Sequence, residues 1–327
     1  MLWIPVIVLL AATTGAAGLY FFTGWRARDL AAKAMENALS GNLQMAWLQV
    51  SSAHGLRSRD PLVKRTKLYV QSRLNDPAAL PMWEEFAAAG DPTTSELEEW
   101  ARAAMLFGTD GQFARANDAL AQAGMASEAA ALRSSRLLRQ GNLAQSIAEA
   151  RAAAGQSVDA SKKLALLHLL LARHVPMLDA PGTPAPSELR GLAEAVAIVD
   201  ELQGTPQANE AIAMVLGAFP QPPDKTRAWA DAALRDLTPS NPALLPAAQF
   251  MAASGQRTPA ECLAMLAPVF DGADADRRAL FARWLNRQQM WDETLARIPA
   301  KAAARNAVCF ADRGRALEAL ARKEPGK

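Results

Sequence analysis

The chain of 327 residues carries 35 Lys and Arg against 33 Asp and Glu, a formal net charge of +2. Half of its residues are hydrophobic, but only 6% are aromatic. So balanced a charge argues against a dedicated nucleic-acid binder, which presents a clustered basic face. Two cysteines, Cys262 and Cys309, exclude a disulfide framework, a four-cysteine zinc site and an iron–sulfur cluster supplied by this chain alone.

The first 24 residues contain no charged side chain, and 3–22 (WIPVIVLLAATTGAAGLYFF) are apolar almost throughout. Twenty helical residues at about 1.5 Å each span the bilayer core of about 30 Å. Trp3 at one end and Tyr20, Phe21, Phe22 and Trp25 at the other match the aromatic belts of the two interfaces. No Lys or Arg precedes the run, and Leu19 to Phe22 extend it past Ala16, Ala17 and Gly18. The pattern therefore predicts an uncleaved anchor over 1–24 rather than a signal peptide. Arg26, Arg28 and Lys33 follow. By the positive-inside rule this predicts a single-pass protein of the inner (plasma) membrane with its body in the cytoplasm; a periplasmic body is the alternative.

Beyond Gly24 no stretch alternates with period two. Apolar residues recur at three-and-four spacing in 97–107, 113–123, 164–172, 189–202, 228–237 and 279–285, the periodicity of amphipathic helices. Much of the apolar content is Ala and Leu, which also favour helix. The Pro-rich segment 176–187 cannot be helical throughout. It divides the expected body into an array over 25–175 and another over 188–321, with a frayed tail at 322–327.

One pattern recurs along this body. Trp100, Ala103, Ala104 and Phe107 are followed by Gly111, Phe113, Ala116, Leu120 and Ala123. A second set has Leu30 and Ala34, then Gly41, Leu43, Ala46, Val50 and Ala53. A third has Leu244, Ala247, Ala248 and Met251, then Gly255, Ala260, Ala264 and Ala267. The fourth has Phe281, Ala282 and Leu285, then Gln289, Trp291 and Thr294. Small residues let two helix backbones approach closely while large ones fill the neighbouring grooves. Gly255 and Gln289 stand 34 apart, and a degenerate unit fits around Asp76. Gly141-Asn142-Leu143 opens a further turn out of phase.

These sets resemble the tetratricopeptide repeat (TPR), a 34-residue helical hairpin. The resemblance implies an all-α fold: a right-handed, TPR-like α-solenoid of helical hairpins preceded by one transmembrane helix. Anchor, basic pair and repeats are together similar in layout to bacterial inner-membrane TPR proteins of envelope assembly, such as the lipopolysaccharide assembly protein B family. No CxxC pair of the kind found in that family's metal module occurs among these 327 residues.

Catalytic patterns are absent from the sequence. His168 and His174 are six apart, which misses the i, i+4 spacing of two ligands on one helix face. His168 is expected as a buried or partly buried structural histidine. Cys262 and Cys309, without a nearby His or CxxC partner, are expected as small core hydrophobes. Glu84-Glu85 and Glu98-Glu99 are expected at helix starts or exposed positions. Arg277-Arg278 and Arg133, Arg136 and Arg139 are expected on solvated faces. Trp100, Trp229 and Trp284 are expected as core bulk, with Trp47, Trp83 and Trp291 in core or groove.

The resemblance implies a membrane-anchored, non-enzymatic scaffold that binds partner proteins or peptides in a concave groove. It implies a place in bacterial envelope assembly, secretion or complex assembly. Lys33, Asn37, Arg102 and Met105 are the candidate groove residues. No cofactor, metal, nucleic acid or small-molecule substrate is expected; the membrane is met through residues 3–22. The alternatives are a periplasmic assembly factor of the same fold, and a helical-toroid enzyme such as a lyase or transglycosylase.

Overall fold

Every regular element among the described residues is an α-helix. The structure is a computed structural model and describes residues 3–90, 92–178, 186–218, 224–304 and 306–323. Contacts divide the chain into two compact units, Met1–Val158 and Asp159–Lys327.

The first unit opens with α1 (Trp3–Leu39) and α2 (Leu43–Leu56), followed by α3 (Pro61–Arg73) and α4 (Ala79–Ala89). Then come α5 (Thr94–Phe107) with α6 (Asp110–Gln122), and α7 (Ala126–Arg139) with α8 (Leu143–Gly155). Each helix packs on the next. In addition α1 packs on α3, α3 on α5 and α5 on α7, so the odd-numbered helices form a continuous row. The small residues of the sequence pattern lie at the crossings. Ala34, Ala46, Val50 and Ala53 are fully buried between α1, α2 and α3, as are Ala104, Ala116 and Leu120 between α5 and α6.

The second unit repeats the scheme. Its row is α9 (Ala160–Leu178), α11 (Ala208–Ala218), α13 (Leu244–Ala253) and α15 (Ala275–Arg287). Between these lie α10 (Pro186–Glu201), α12 (Asp224–Ala233) and α14 (Pro259–Phe270). The unit ends with α16 (Trp291–Arg297), the single turn α17 (Ala300–Ala303) and α18 (Ala307–Lys323), which packs on α15 and α16. Such packing is all-helical, repeat-like and compatible with a solenoid.

The same turn closes most of the hairpins. At Gly41, Asn75, Gly141, Gly255 and Gln289 the backbone takes a positive φ. At each, the residue's own N–H bonds a carbonyl three back, and the next N–H bonds one five back, as in Gly41 to Ala38 and Asn42 to Asn37. This is the Schellman closure, which satisfies the last carbonyls of a helix. In the Gly-Asn-Leu turns at 41–43 and 141–143 the Asn then caps the following helix by accepting from Met45 N and Gln145 N. Gly41 and Asn75 are 34 apart, as are Gly255 and Gln289.

Three expectations shift. Gly111 is not the turn residue between α5 and α6; it lies in the first turn of α6. Gly108 and Thr109 make that turn, because a Thr109–Gln112 capping box starts α6 before Gly111 is reached. Ala260 and Ala264 are exposed, and Cys262, Leu266 and Phe270 form the buried face of α14 instead. The cause is local. α2, α8 and α16 start two residues after their turn position, whereas α14 waits for the Thr258–Glu261 box and starts at Pro259. Its face is rotated accordingly.

Finally, the Pro-rich segment does not divide the two units. It connects α9 to α10, which pack on each other within the second unit, and the division falls between Val158 and Asp159. Residues 179–185 of that segment lie outside the described residues.

Among the described residues no helix is long and apolar enough to cross a membrane. The side chains of 3–16, most of the run expected as an anchor, lie outside the described residues.

Candidate functional site

Along the odd-numbered row of the first unit, α3 and α5 lie side by side and share a strip of charge. Arg65, Tyr69 and Arg73 recur every four residues on α3, which sets them on one face. Across from them, Arg65 Nε is 3.3 Å from Glu96 and Arg73 Nη2 is 2.9 Å from Glu99. On α5, Arg102 donates to Glu98 at 2.7 Å and lies 4.0 Å from the second oxygen of Glu99. The Arg73 guanidinium stands over the Tyr69 ring at 5.1 Å.

Glu99 is the unusual member. It is 2% exposed and lies beyond the first turn of α5, contrary to the expectation of a helix start or an exposed position. The packing of α3 on α5 buries it and supplies Arg73 as partner. Burial pushes its carboxyl pKa up; the Arg102 and Arg73 charges oppose this without cancelling it. Arg73 and Arg102 keep about two-fifths of their side chains exposed. The strip therefore offers two guanidinium groups that can fork a carboxylate from outside while remaining anchored inside.

The four candidate groove residues fall into two pairs on this row, with α3 between them. Lys33 is exposed on α1 and pairs with Asp29 at 3.0 Å. Asn37 is turned toward α2, donating to Gln49 Oε1 at 2.9 Å. Arg102 belongs to the charged strip. Met105 packs against the core, and its carbonyl accepts from Arg136. Lys33 and Arg102 thus present polar ends outward, whereas Asn37 and Met105 hold helices together. Arg65, Arg73 and Glu96 were not among the candidates, although the four-residue spacing of Arg65, Tyr69 and Arg73 was present in the sequence.

A second concavity, an open cleft of about 640 Å³, lies between α4 and α6 over α5, lined by Glu84, Pro92, Leu97, Trp100 and Arg115. Trp100 is only partly buried, and its indole Nε1 is shielded from water without a hydrogen-bond acceptor. The expectation of plain core bulk therefore holds only for Trp229 and Trp284, which are 6% and 3% exposed. Glu84 sits mid-helix and pairs with Arg115 at 3.1 Å.

In the second unit Thr294 donates to Asn286 Oδ1 at 2.9 Å. Asn286 in turn donates to the carbonyl of Asp312 at 2.8 Å. The buried Asp312 carboxylate holds Arg283 at 3.7 Å and Arg315 at 3.2 Å. Both arginines line a shallow cleft of about 380 Å³ with Arg287, Trp291 and Arg322. These contacts tie α15, α16 and α18 together.

His168 is exposed rather than buried, because its turn of α9 points away from the leucines on either side. His174 is the buried one, set against Gly191 of α10, where a Cβ would come within 2.0 Å of its ring. Cys262 and Cys309 are buried, and burial raises both thiol pKa values. Arg136 is not on a solvated face: it folds over the end of α5. Among the described residues no three His, Cys, Asp or Glu side chains converge as metal ligands would. No family model matches this chain, and no curated protein matches it either.

Proposed function

We propose that the chain is a membrane-anchored scaffold of TPR type that presents the row α1, α3, α5 and α7 to a partner protein or peptide. The observation that carries this proposal is the continuous odd-numbered row with its exposed arginine ends at Arg73 and Arg102. The 34-residue interval between Gly41 and Asn75, with the same closure at both, supports the TPR assignment. A stacked row suits an extended segment, and forked guanidinium groups suit acidic residues on it.

Leu19, Tyr20, Phe21, Phe22 and Trp25 support the anchor. All are at least 60% exposed, and five positions so close in a helix cover every side of it. Lipid is the environment that removes such a collar from water. The basic flank favours a cytoplasmic body, in bacterial envelope assembly, secretion or complex assembly; alkaline phosphatase and fluorescent-protein fusions at the C-terminus separate this from a periplasmic body.

The test is photo-crosslinking of the full-length chain in cells from Lys33 and from Arg102, with Asp118 on α6 as the control position. The expected result is one shared set of captured proteins from the two row positions, lost when Arg73→Gln is introduced while membrane association and the helical content stay unchanged. Equal capture from Asp118, or capture indifferent to Arg73→Gln, overturns the assignment of the row.

A further inference from the structure

Between Tyr20 and Lys67 the sequence holds eight Lys or Arg against three Asp or Glu, in a chain whose whole net charge is +2. The fold gathers much of this excess at one place. The connection between α2 and α3 turns back against α1 where its apolar collar ends. There Arg57 donates to the Tyr20 carbonyl and, at 3.1 Å, to Thr23 Oγ1, with its guanidinium 3.5 Å above the Tyr20 ring. Arg28 of α1 bonds Asp60, the N-cap of α3, at 2.9 Å. Residues distant in sequence are thereby held level with the aromatic collar.

Around that junction Ser58, Arg59 and Lys64 are exposed, and so are Leu56 and Leu62, at 41% and 42%. Lys64 and Lys67 lie near His54; its burial and then these two charges hold the imidazole below its usual pKa. Cations and leucines thus share one exposed corner beside Tyr20 and Thr23.

We propose that the α2–α3 corner is a second membrane contact, which binds the headgroups of anionic phospholipids. The proposal rests on the anchor described above and extends it. Charge complementarity chooses the occupant: an anionic leaflet attracts juxtamembrane cations within a Debye length of its surface. Continuity with the collar sets the depth. Arg57, bound to a main-chain carbonyl of the collar, keeps the corner at the headgroup level, where Leu56 and Leu62 reach the acyl boundary. The corner adds a second contact to that of the collar and fixes the tilt of the first hairpin against the bilayer.

The test uses the full chain carrying Ser58→Cys with a nitroxide label; the two native thiols are buried. The chain is reconstituted into vesicles of phosphatidylcholine alone, or of equal parts phosphatidylcholine and phosphatidylglycerol, each with a trace of nickel-chelating headgroup lipid. The expected result is stronger relaxation of the label by nickel in the anionic vesicles than in the neutral ones. The association constant behind that excess falls by roughly fivefold for each cation lost in Arg59→Gln and Lys64→Gln, and the excess weakens with salt. Neither residue enters an ion pair among the described residues, so both variants are expected to fold. Equal relaxation in the two kinds of vesicle, with the chain resistant to carbonate extraction, overturns the corner contact and leaves the anchor standing. A chain that carbonate strips from both kinds overturns the anchor and the corner together.

Discussion

Ser134 on α7 and Ser146 on α8 each donate a hydroxyl hydrogen bond to the other's main-chain carbonyl, both at 2.9 Å. The pair sits where the two helices cross, and Ser146 is fully buried. Both carbonyls lie inside helices, so neither depends on a serine for its only partner. Size is therefore the demand at this crossing, and the hydroxyl is the smaller term. Ser146→Ala is expected to change stability by no more than about 1 kcal/mol, the worth of one such bond less the better helix propensity of Ala. Ser146→Leu is expected to cost about 1–3 kcal/mol by overpacking. Urea unfolding of the two variants orders these effects; a costly Ala and a tolerated Leu would reverse the assignment.

Arg136 closes α5 from outside. It donates to the carbonyls of Ala104, Met105 and Gly108 at 3.1–3.2 Å. It also holds Asp110, in the first turn of α6, at 2.7 Å. Its own side chain is 14% exposed, whereas Asp110 is 84% exposed. The carbonyl bonds therefore outweigh the ion pair, which solvent screens. Arg136→Lys keeps the charge but loses the fork, and is expected to cost about 1.5–3 kcal/mol, the worth of bonds to a charged group. Asp110→Asn is expected to cost under about 1 kcal/mol. Hydrogen exchange at the end of α5 reads the difference: fast exchange in Arg136→Lys, near-native exchange in Asp110→Asn.

Regular features were legible in the sequence because they arise within a few residues of each other. Helical periodicity, the Gly41 and Gly141 turns and the small residues at the α1–α2 crossing all belong to that class. What escaped depends on neighbours far along the chain. Nothing near Glu99 announces that Arg73 will be packed beside it, and Arg136 reads as a solvated cation until α7 folds against the end of α5. The face of α14 escaped for a different reason. Its repeat pattern was present, but a capping box two residues late rotated it, and box and pattern compete for the same positions. Of the candidate groove, Lys33 and Arg102 were legible as exposed charge on helices. Asn37 and Met105 were not separable from them, because exposure within a helical hairpin depends on the angle at which its neighbour docks.

Glu99 gives the first unit a pH dependence of definite sign. Its folded pKa is raised, so between its ordinary value and the raised one the folded chain binds more protons than the unfolded chain. The contribution of this group is accordingly most favourable below its ordinary pKa and is lost as pH rises through the folded pKa. Glu99→Gln removes that slope while keeping shape and a partner for Arg73. The stability of the native chain relative to Glu99→Gln is expected to grow as pH falls from neutral toward the ordinary carboxylate range. Thermal unfolding of both chains across that interval checks it. A difference that shrinks on acidification means that the Arg73 pair, and not burial, governs the carboxylate.

Gln289 closes the α15–α16 hairpin in the position that Gly41, Gly141 and Gly255 occupy elsewhere, with a φ of +59°. A side chain in this left-handed region pays roughly 1–2 kcal/mol for the crowding of its Cβ. The Gln289 side chain is exposed, so its removal leaves no cavity. Glycine regains most of the steric cost and gives back part of it through the greater freedom of the unfolded chain. Gln289→Gly is thus expected to stabilise the second unit by roughly 0.5–1 kcal/mol. Gln289→Val is expected to destabilise it, since a branched Cβ fits that region worst. Asn75, at a φ of +55° in the first unit, serves as the comparison, because its short amide side chain tolerates the conformation. Asn75→Gly should gain less than Gln289→Gly. Equal gains at the two sites would show that turn entropy, and not Cβ crowding, sets the preference for glycine there.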